Sequence, residues 1–227
     1  MGSIGLIAGV AFVVGPLLAW LGVLPPFGGF LVFALGGLLA VIAGVAAIVR
    51  LVRGRGLGLG GAAAIAASIA FILIAMRSAG APRINDYTTD LADPPVFRDA
   101  AALPTNARRD MTYPAAFVPI QKACCGDLHP AHLALPPAAA FTRAQSIAAR
   151  MPAWTVTRSD PTAGVIEAVA TSKLFHFQDD IVIRVRPDAD GSRVDVRSKS
   201  RDGQGDLGVN AARIRAYVAE LERPTAQ

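Results

Sequence analysis

The chain has 227 residues and a formal net charge of +5, with 22 Lys and Arg against 17 Asp and Glu. These averages combine two unlike parts, because residues 1–76 contain three arginines and no acid, and the first acidic residue is Asp86. The remaining charge of +2 is spread over interleaved residues of both signs. This pattern excludes a nucleic-acid signature, since nucleic-acid binders concentrate Lys and Arg on one face or in one run.

Three apolar runs fill the first 76 residues, at about 4–24, 28–49 and 57–76. Each is about as long as the roughly 20 residues that a helix needs to cross the hydrocarbon core of a bilayer. We therefore predict a membrane anchor of three transmembrane helices in residues 1–76, with the lipid bilayer as a partner.

The charges between these runs predict an orientation. Arg50, Arg53 and Arg55 lie between the second and third runs, whereas the turn Pro-Pro-Phe-Gly between the first two is uncharged. The positive-inside rule assigns the arginine loop to the cytoplasm. The amino terminus is then cytoplasmic and everything after Arg77 is outside, which in a bacterium means an inner-membrane protein with a periplasmic C-terminal domain.

Two alternatives to this topology stay open. The first run could be a cleaved signal peptide, although Met-Gly-Ser-Ile-Gly lacks the positive start of such signals. The third run is rich in Gly and Ala and could fail to insert. The C-terminal domain would then be cytoplasmic.

Residues 77–131 are proline-rich, and we predict an extended segment with little regular structure. Six prolines between positions 82 and 119 remove backbone donors and fix φ. Tyr87, Phe97 and Phe117 offer apolar anchors by which this segment can lie along a folded domain, since fully disordered linkers usually lack them.

Residues 132–223 show the periodicities of a small soluble domain. A short strand at 132–135 and a helix after it precede four strands and a final helix, at 154–158, 164–172, 179–186, 193–200 and 208–222. In the third of these four strands, apolar and charged residues alternate, which predicts a sheet with one face exposed to solvent. The expected fold class is α+β, with an antiparallel sheet of about four to five strands packed by two helices.

The densest polar region lies around the last two predicted strands and the start of the final helix. It supplies nine candidate site residues: Asp179, Asp180, Arg197, Ser198, Ser200, Arg201, Asp206, Asn210 and Arg213. Such a cluster could bind an anionic or hydroxylated group through arginine forks and a helix N-terminus, or form a buried network that fixes helix to sheet. We favour the network, because consecutive strand residues face opposite sides and the two adjacent aspartates cannot act as a pair.

A second cluster contains Cys124, Cys125, His129 and His132. Thiols and imidazoles ligate zinc or copper, but this spacing fits no structural zinc pattern, so the metal assignment is left unknown and no cofactor is predicted. In an oxidising compartment the adjacent cysteines could form a vicinal disulfide, or stay reduced if buried.

Several spaced motifs resemble one family. They are Phe-x-Phe-x-Asp-Asp-x-x-x-Arg-x-Arg from Phe175, Asp-Val-Arg-Ser-x-Ser-Arg from Asp195, and Asp-Leu-Gly-x-Asn-x-x-Arg-Ile from Asp206. Together they closely resemble the family called domain of unknown function 1499. The upstream Ile-Asn-Asp-Tyr-Thr-Thr-Asp and Asp-Pro-Pro-Val-Phe are similar to its membrane-anchored bacterial branch. The resemblance covers about residues 84–222 and implies an uncharacterised domain with no established reaction.

The sequence shows no Gly-rich phosphate loop after a strand and no Gly-x-Ser-x-Gly elbow. We therefore predict a non-enzymatic, membrane-anchored protein whose periplasmic domain binds a partner protein, a lipid or a cell-envelope component. One alternative is an accessory subunit of a membrane protein complex. The other is an envelope hydrolase or metal-dependent enzyme, which would use Asp179 or Asp180, Ser198, Ser200 and Arg201.

Overall fold

A computed structural model describes residues 2–224, so Met1, with which the predicted anchor begins, lies outside the described residues. The chain folds as two compact units. One contains the chain up to Gly80 together with Ser172–Phe177, and the other contains Ala81–Thr171 and the chain from Gln178 onward.

The first unit is built from three apolar helices: α1 (Gly2–Trp20), α2 (Pro26–Val52) and α3 (Leu59–Ser78). Helix α2 begins with a proline in its first turn. Proline lacks a backbone N–H, but an N–H at this position would have no acceptor within the helix, so no helical hydrogen bond is lost. Small residues bring the helices close together. A Cβ atom on Gly5 would lie 2.4 Å from the carbonyl oxygen of Gly60, and one on Gly36 would lie 2.5 Å from the amide nitrogen of Phe12.

Two helices of the described chain, Pro26–Val52 and Leu59–Met76, are long and apolar enough to cross a membrane. The apolar stretch of the first helix, Gly5–Trp20, is shorter. All three predicted apolar segments are therefore helices, and length and composition support two of them as spans.

The second unit is built on a six-stranded antiparallel sheet. Its strands are β1 (Asp86–Thr88), β2 (Ala131–Leu133), β3 (Trp154–Asp160), β4 (Val165–Thr171), β5 (Gln178–Asp188) and β6 (Gly191–Ser200). The spatial order is β1-β6-β5-β4-β3, and β2 pairs with β6 further along the strand from β1. The α+β class and the antiparallel sheet are thus confirmed, with one strand more than predicted.

Two helices cover one face of this sheet and form the core with it. They are α6 (Pro137–Ala148) and α7 (Val209–Glu222), which bury Phe141, Ile147, Ile214 and Leu221. Tyr217 of α7 stacks on Trp154 with ring centroids 5.3 Å apart, and its hydroxyl donates a hydrogen bond to the carbonyl oxygen of Ala144 at 2.8 Å.

The segment 77–131 differs from its prediction as an extended stretch. Besides β1 and part of β2, it contains α4 (Asp99–Ala102), a 3-10 turn (Pro104–Asn106) and α5 (Phe117–Cys125). Prolines permit these short elements because they stand at their beginnings: Pro104 opens the 3-10 turn and Pro119 lies in the first turn of α5. The folded unit therefore starts at Ala81 rather than at residue 132.

The face of the sheet that the sequence predicts to be exposed to solvent is covered by segment 77–131. Val182, expected to face solvent, is 1% exposed and packs with Phe97, Ala100 and Val165. Glu167 of β4 is fully buried on the same face, where its carboxylate accepts hydrogen bonds from the backbone N–H groups of Arg98 (2.5 Å) and Ala100 (2.8 Å). The central strands β4, β5 and β6 are thus buried on both faces over most of their length, whereas the edge strand β3 is partly exposed.

Candidate functional site

The two adjacent aspartates of β5 point to opposite faces of the sheet. Asp179 lies on the face covered by α7, where Nη2 of Arg213 donates a hydrogen bond to its Oδ2 at 2.7 Å. Asp180 lies on the other face and is bound by the guanidinium fork of Arg201, with Nη2 2.6 Å and Nε 3.0 Å from its Oδ1. The structure therefore divides the nine candidate residues into separate groups.

The group beneath α7 is a closed hydrogen-bond network. The hydroxyl of Ser198 donates to Oδ1 of Asn210 at 2.5 Å, and Nδ2 of Asn210 donates to the hydroxyl of Ser200 at 2.8 Å. Nη1 of Arg213 reaches the same Oδ1 at 2.5 Å. Ser198, Ser200 and Asn210 are all buried. This network joins the first turns of α7 to β6.

Asp206 positions the start of the same helix. Its Oδ2 accepts a hydrogen bond from the backbone N–H of Asn210 at 2.6 Å, and its Oδ1 accepts one from that of Gly208 at 2.9 Å. Gly208, the residue before the helix, has φ of +82°, which glycine adopts without steric cost. Burial raises the pKa of Asp206 above its ordinary value, although these backbone hydrogen bonds oppose the shift.

On the opposite face, the proline-rich segment completes the surroundings of Asp180. Nδ2 of Asn106 donates to Oδ2 of Asp180 at 2.9 Å and to the carbonyl oxygen of Ala100 at 2.8 Å. Arg109 donates to Oδ1 of Asn106 at 2.7 Å and to the carbonyl oxygen of Ser200. Sequence reasoning missed Asn106 and Arg109, because they stand in a stretch without periodicity.

Arg197 is separated from the other candidates and belongs to a buried ion cluster with Asp86 and Lys199. Arg197 is 1% exposed, and its Nε and Nη2 lie 2.9 and 2.7 Å from the two carboxylate oxygens of Asp86. Nζ of Lys199 lies 3.0 Å from Oδ2 of the same carboxylate. Asp86 is fully buried, so this one carboxylate is shared by two buried cations.

The remaining donors and the faces of the Arg197 guanidinium are also occupied. It donates to the carbonyl oxygens of Pro95 (3.1 Å) and Met111 (2.9 Å). The rings of Phe97 and Tyr113 lie 4.8 and 5.6 Å from its central carbon, as measured to the ring centroids. The sequence singled out Arg197 but not these partners, although Asp86 lies within the upstream motif.

A second ion cluster lies on the same face, further along β5 and β6. The carboxylate of Asp195 is fully buried and binds Arg184 (3.1 Å), Arg186 (2.8 Å) and Arg193 (2.8 Å). Asp90 and Asp93 complete the cluster, so that three arginines meet three aspartates. Sequence reasoning placed Arg184 and Arg186 on a solvent-exposed face and assigned a partner to none of the three arginines.

The cysteine and histidine residues do not converge on one point. Sγ of Cys124 lies 2.8 Å from Sγ of Cys125, and both thiols are free. Burial, together with the neighbouring thiol, raises the pKa of Cys124 to about 12, which keeps it protonated at neutral pH. His132 instead pairs with Asp188, at 2.7 Å. In the part of the chain that the structure describes, no three His, Cys, Asp or Glu residues are arranged to hold a metal ion.

The fold and its clusters define an α+β domain whose antiparallel sheet has central strands buried on both faces and carries buried ion pairs, in a chain that also contains apolar helices. The chain belongs to the family described as Protein of unknown function (DUF1499), which matches residues 86–221, more than half of its length. This confirms the resemblance of the sequence motifs. No curated protein and no solved structure matches the chain.

Replacing Asp86 with Ala should strongly destabilise the folded unit, because Arg197 and Lys199 would stay buried without a carboxylate. We expect the free energy of unfolding to fall by about 3–5 kcal/mol. Urea unfolding of the full chain in detergent measures this in a Trp20→Phe background, where Trp154 is the sole tryptophan. The control is Asp93→Ala, whose carboxylate is 63% exposed and should cost at most about 1 kcal/mol. Equal losses in both variants would contradict the assignment.

The ionisation of Asp90 should make the free energy of unfolding depend on pH. Burial alone would raise the pKa of Asp90, but the backbone N–H groups of Asp93 and Ala92 and the nearby Arg193 and Arg184 hold it below its ordinary value. Because the pKa of Asp90 is lower in the folded state, its ionised carboxylate stabilises the fold at pH values above its ordinary pKa. This stabilisation is lost as the pH falls through the pKa of the folded state.

The stability deficit of Asp90→Asn should therefore be constant near neutral pH and shrink below about pH 4. Urea unfolding of wild type and variant between pH 7 and pH 3 measures it. A deficit that stays constant or grows on acidification would contradict the charge assignment.

Proposed function

We propose that the chain is a protein of the bacterial inner membrane whose C-terminal domain lies in the periplasm and binds a partner protein without catalysing a reaction. One observation carries this proposal. The domain's candidate chemical groups are engaged in buried networks, whereas a hollow with a partly apolar lining stays open on its surface.

The arginine loop supports the topology. Arg50 lies in the last turn of α2, and Arg53 and Arg55 precede α3, so the positive charge collects where two span-length helices meet. The positive-inside rule favours the cytoplasm for such a loop. If α3 then crosses the membrane, the following domain is periplasmic whether or not the shorter α1 spans.

The networks argue against the hydrolase alternative. A nucleophilic serine needs a base within hydrogen-bond reach and access to a substrate. Ser198 and Ser200 are buried and bonded to Asn210, while the carboxylates of Asp179 and Asp180 are held by arginines on opposite faces. These contacts support a structural role for the cluster.

The hollow lies between α7 and the loop after α5 and has a volume of about 250 Å³. Its lining combines the buried Ile214 and Val218 with the more exposed Leu128 and Ala219. It also includes the charged or titratable residues Asp127, His129, Arg215 and Glu222, of which Asp127 and Arg215 form an ion pair. An apolar centre with a charged rim is typical of protein interfaces. The volume is below the roughly 300–1,000 Å³ of small-molecule pockets, and it suits one large side chain of a partner.

Reporter fusions test the proposed topology. A periplasm-active reporter should be inactive after Arg55 and active after Gln227, and the full chain should stay in the membrane pellet after alkaline extraction. A cytoplasmic signal at Gln227 would contradict the periplasmic assignment, and release of the chain by alkali would contradict the anchor.

Filling the hollow should abolish partner binding. We expect Ala219→Arg to remove a stoichiometric companion that co-purifies with the full chain in mild detergent, since the new side chain occupies the space and places a charge among its apolar residues. The matched control is Ala216→Arg, an exposed position of the same helix outside the hollow. Quantitative mass spectrometry of the purified material measures the companion. A wild-type chain that migrates alone, or a companion kept by Ala219→Arg, would contradict the proposal.

A further inference from the structure

A second cavity, of about 230 Å³, lies within the helical unit beside the arginine loop. It is bordered by all three helices, among others by Gly5 of α1, Ala43, Ala46 and Arg50 of α2, and Gly61 of α3. We propose that this cavity is a binding site for an anionic phospholipid, with an acyl chain in the cavity and the phosphate on Arg50. The inference rests on the proposed membrane anchoring and specifies a lipid for it.

The walls of the cavity suit hydrocarbon rather than water. Among the lining residues that the structure describes, Arg50 is the one with a polar side chain, and the others are Gly, Ala, Leu and Ile. A buried water needs two to four polar partners, and a water molecule takes up only about 30 Å³ of liquid. A cavity several times larger, with apolar side chains, is therefore filled more favourably by part of an acyl chain.

The charge at the rim selects an anionic headgroup. Arg50 is exposed and makes no ion pair with any residue that the structure describes. Neither stretch of the helical unit, up to Gly80 or in Ser172–Phe177, contains an acidic residue that could neutralise it. A lipid phosphate is the complementary partner, because guanidinium groups bind phosphate through two parallel hydrogen bonds.

The start of α3 adds bare backbone to the same rim. Gly58 precedes the helix without a side-chain cap, and Gly56, Gly60 and Gly61 also line the cavity. The first N–H groups of a helix lack intrahelical acceptors, and a phosphate can accept from them where no side chain intervenes. Arg50 and this backbone thus face the same headgroup position from two helices.

Native mass spectrometry of the full chain tests the inference. The chain is purified in mild detergent and mixed with equal amounts of phosphatidylglycerol and phosphatidylethanolamine. We expect one phosphatidylglycerol to bind preferentially. Arg50→Gln should lower its affinity about fivefold, since the variant loses the direct hydrogen bonds to the phosphate, and a hydrogen bond contributes about 1 kcal/mol. The matched control Arg55→Gln, on the same loop but outside the cavity, should change it less than twofold.

A second pair of variants tests the acyl-chain part of the site. Ala46→Phe fills the cavity and should displace the lipid, whereas Val49→Phe introduces the same aromatic side chain at an exposed position outside the lining. Equal binding of both lipids, equal effects of Arg50→Gln and Arg55→Gln, or lipid binding unchanged by Ala46→Phe would each overturn the inference. Alkaline extraction separates this failure from that of the anchor, because a chain that stays in the membrane pellet without binding phosphatidylglycerol refutes the lipid site alone.

Discussion

The second folded unit depends on the contacts of one buried group, the guanidinium of Arg197. A buried cation is costly unless it is paired and fully hydrogen-bonded. Its partners are the carboxylate of Asp86 and the carbonyl oxygens of Pro95 and Met111, all in the proline-rich segment. Arg197 of β6 can therefore stay buried only if that segment lies on the sheet. The same segment also supplies the partners of Glu167 and Asp180.

Periodicity explains how much of this fold could be predicted from sequence. Strands β3 to β6 and helices α6 and α7 carry regular apolar patterns, and the opposite orientations of Asp179 and Asp180 follow from strand geometry. The elements between prolines are only three to nine residues long and carry no such pattern. The partners of Arg197 could not be inferred either, because Asp86 is 111 residues away and meets it only through the pairing of β1 with β6.

The motif residues that place the chain in its family are largely the residues of these networks. Asp180 and Arg201 bind each other on one face, and Asn210 and Arg213 join α7 to the sheet on the other. Satisfied buried networks rigidify a core and specify one arrangement of it. The motifs thus describe how the domain is held together. The two binding sites that we propose lie elsewhere, at the surface hollow beside α7 and at the cavity beside the arginine loop of the helical unit.

Hydrogen exchange of the full chain in detergent tests the central claim, that the proline-rich segment is an integral part of the fold. The backbone N–H groups of Thr88, Arg98 and Ala100 each donate a hydrogen bond to a buried side chain, that of Gln121 for Thr88 and that of Glu167 for the other two. These three amides should exchange as slowly as the amides of β5 and β6, because all of them are exposed by the same cooperative opening. Exchange of these three amides at the rate of an unstructured chain, while β5 and β6 stay protected, would contradict this claim.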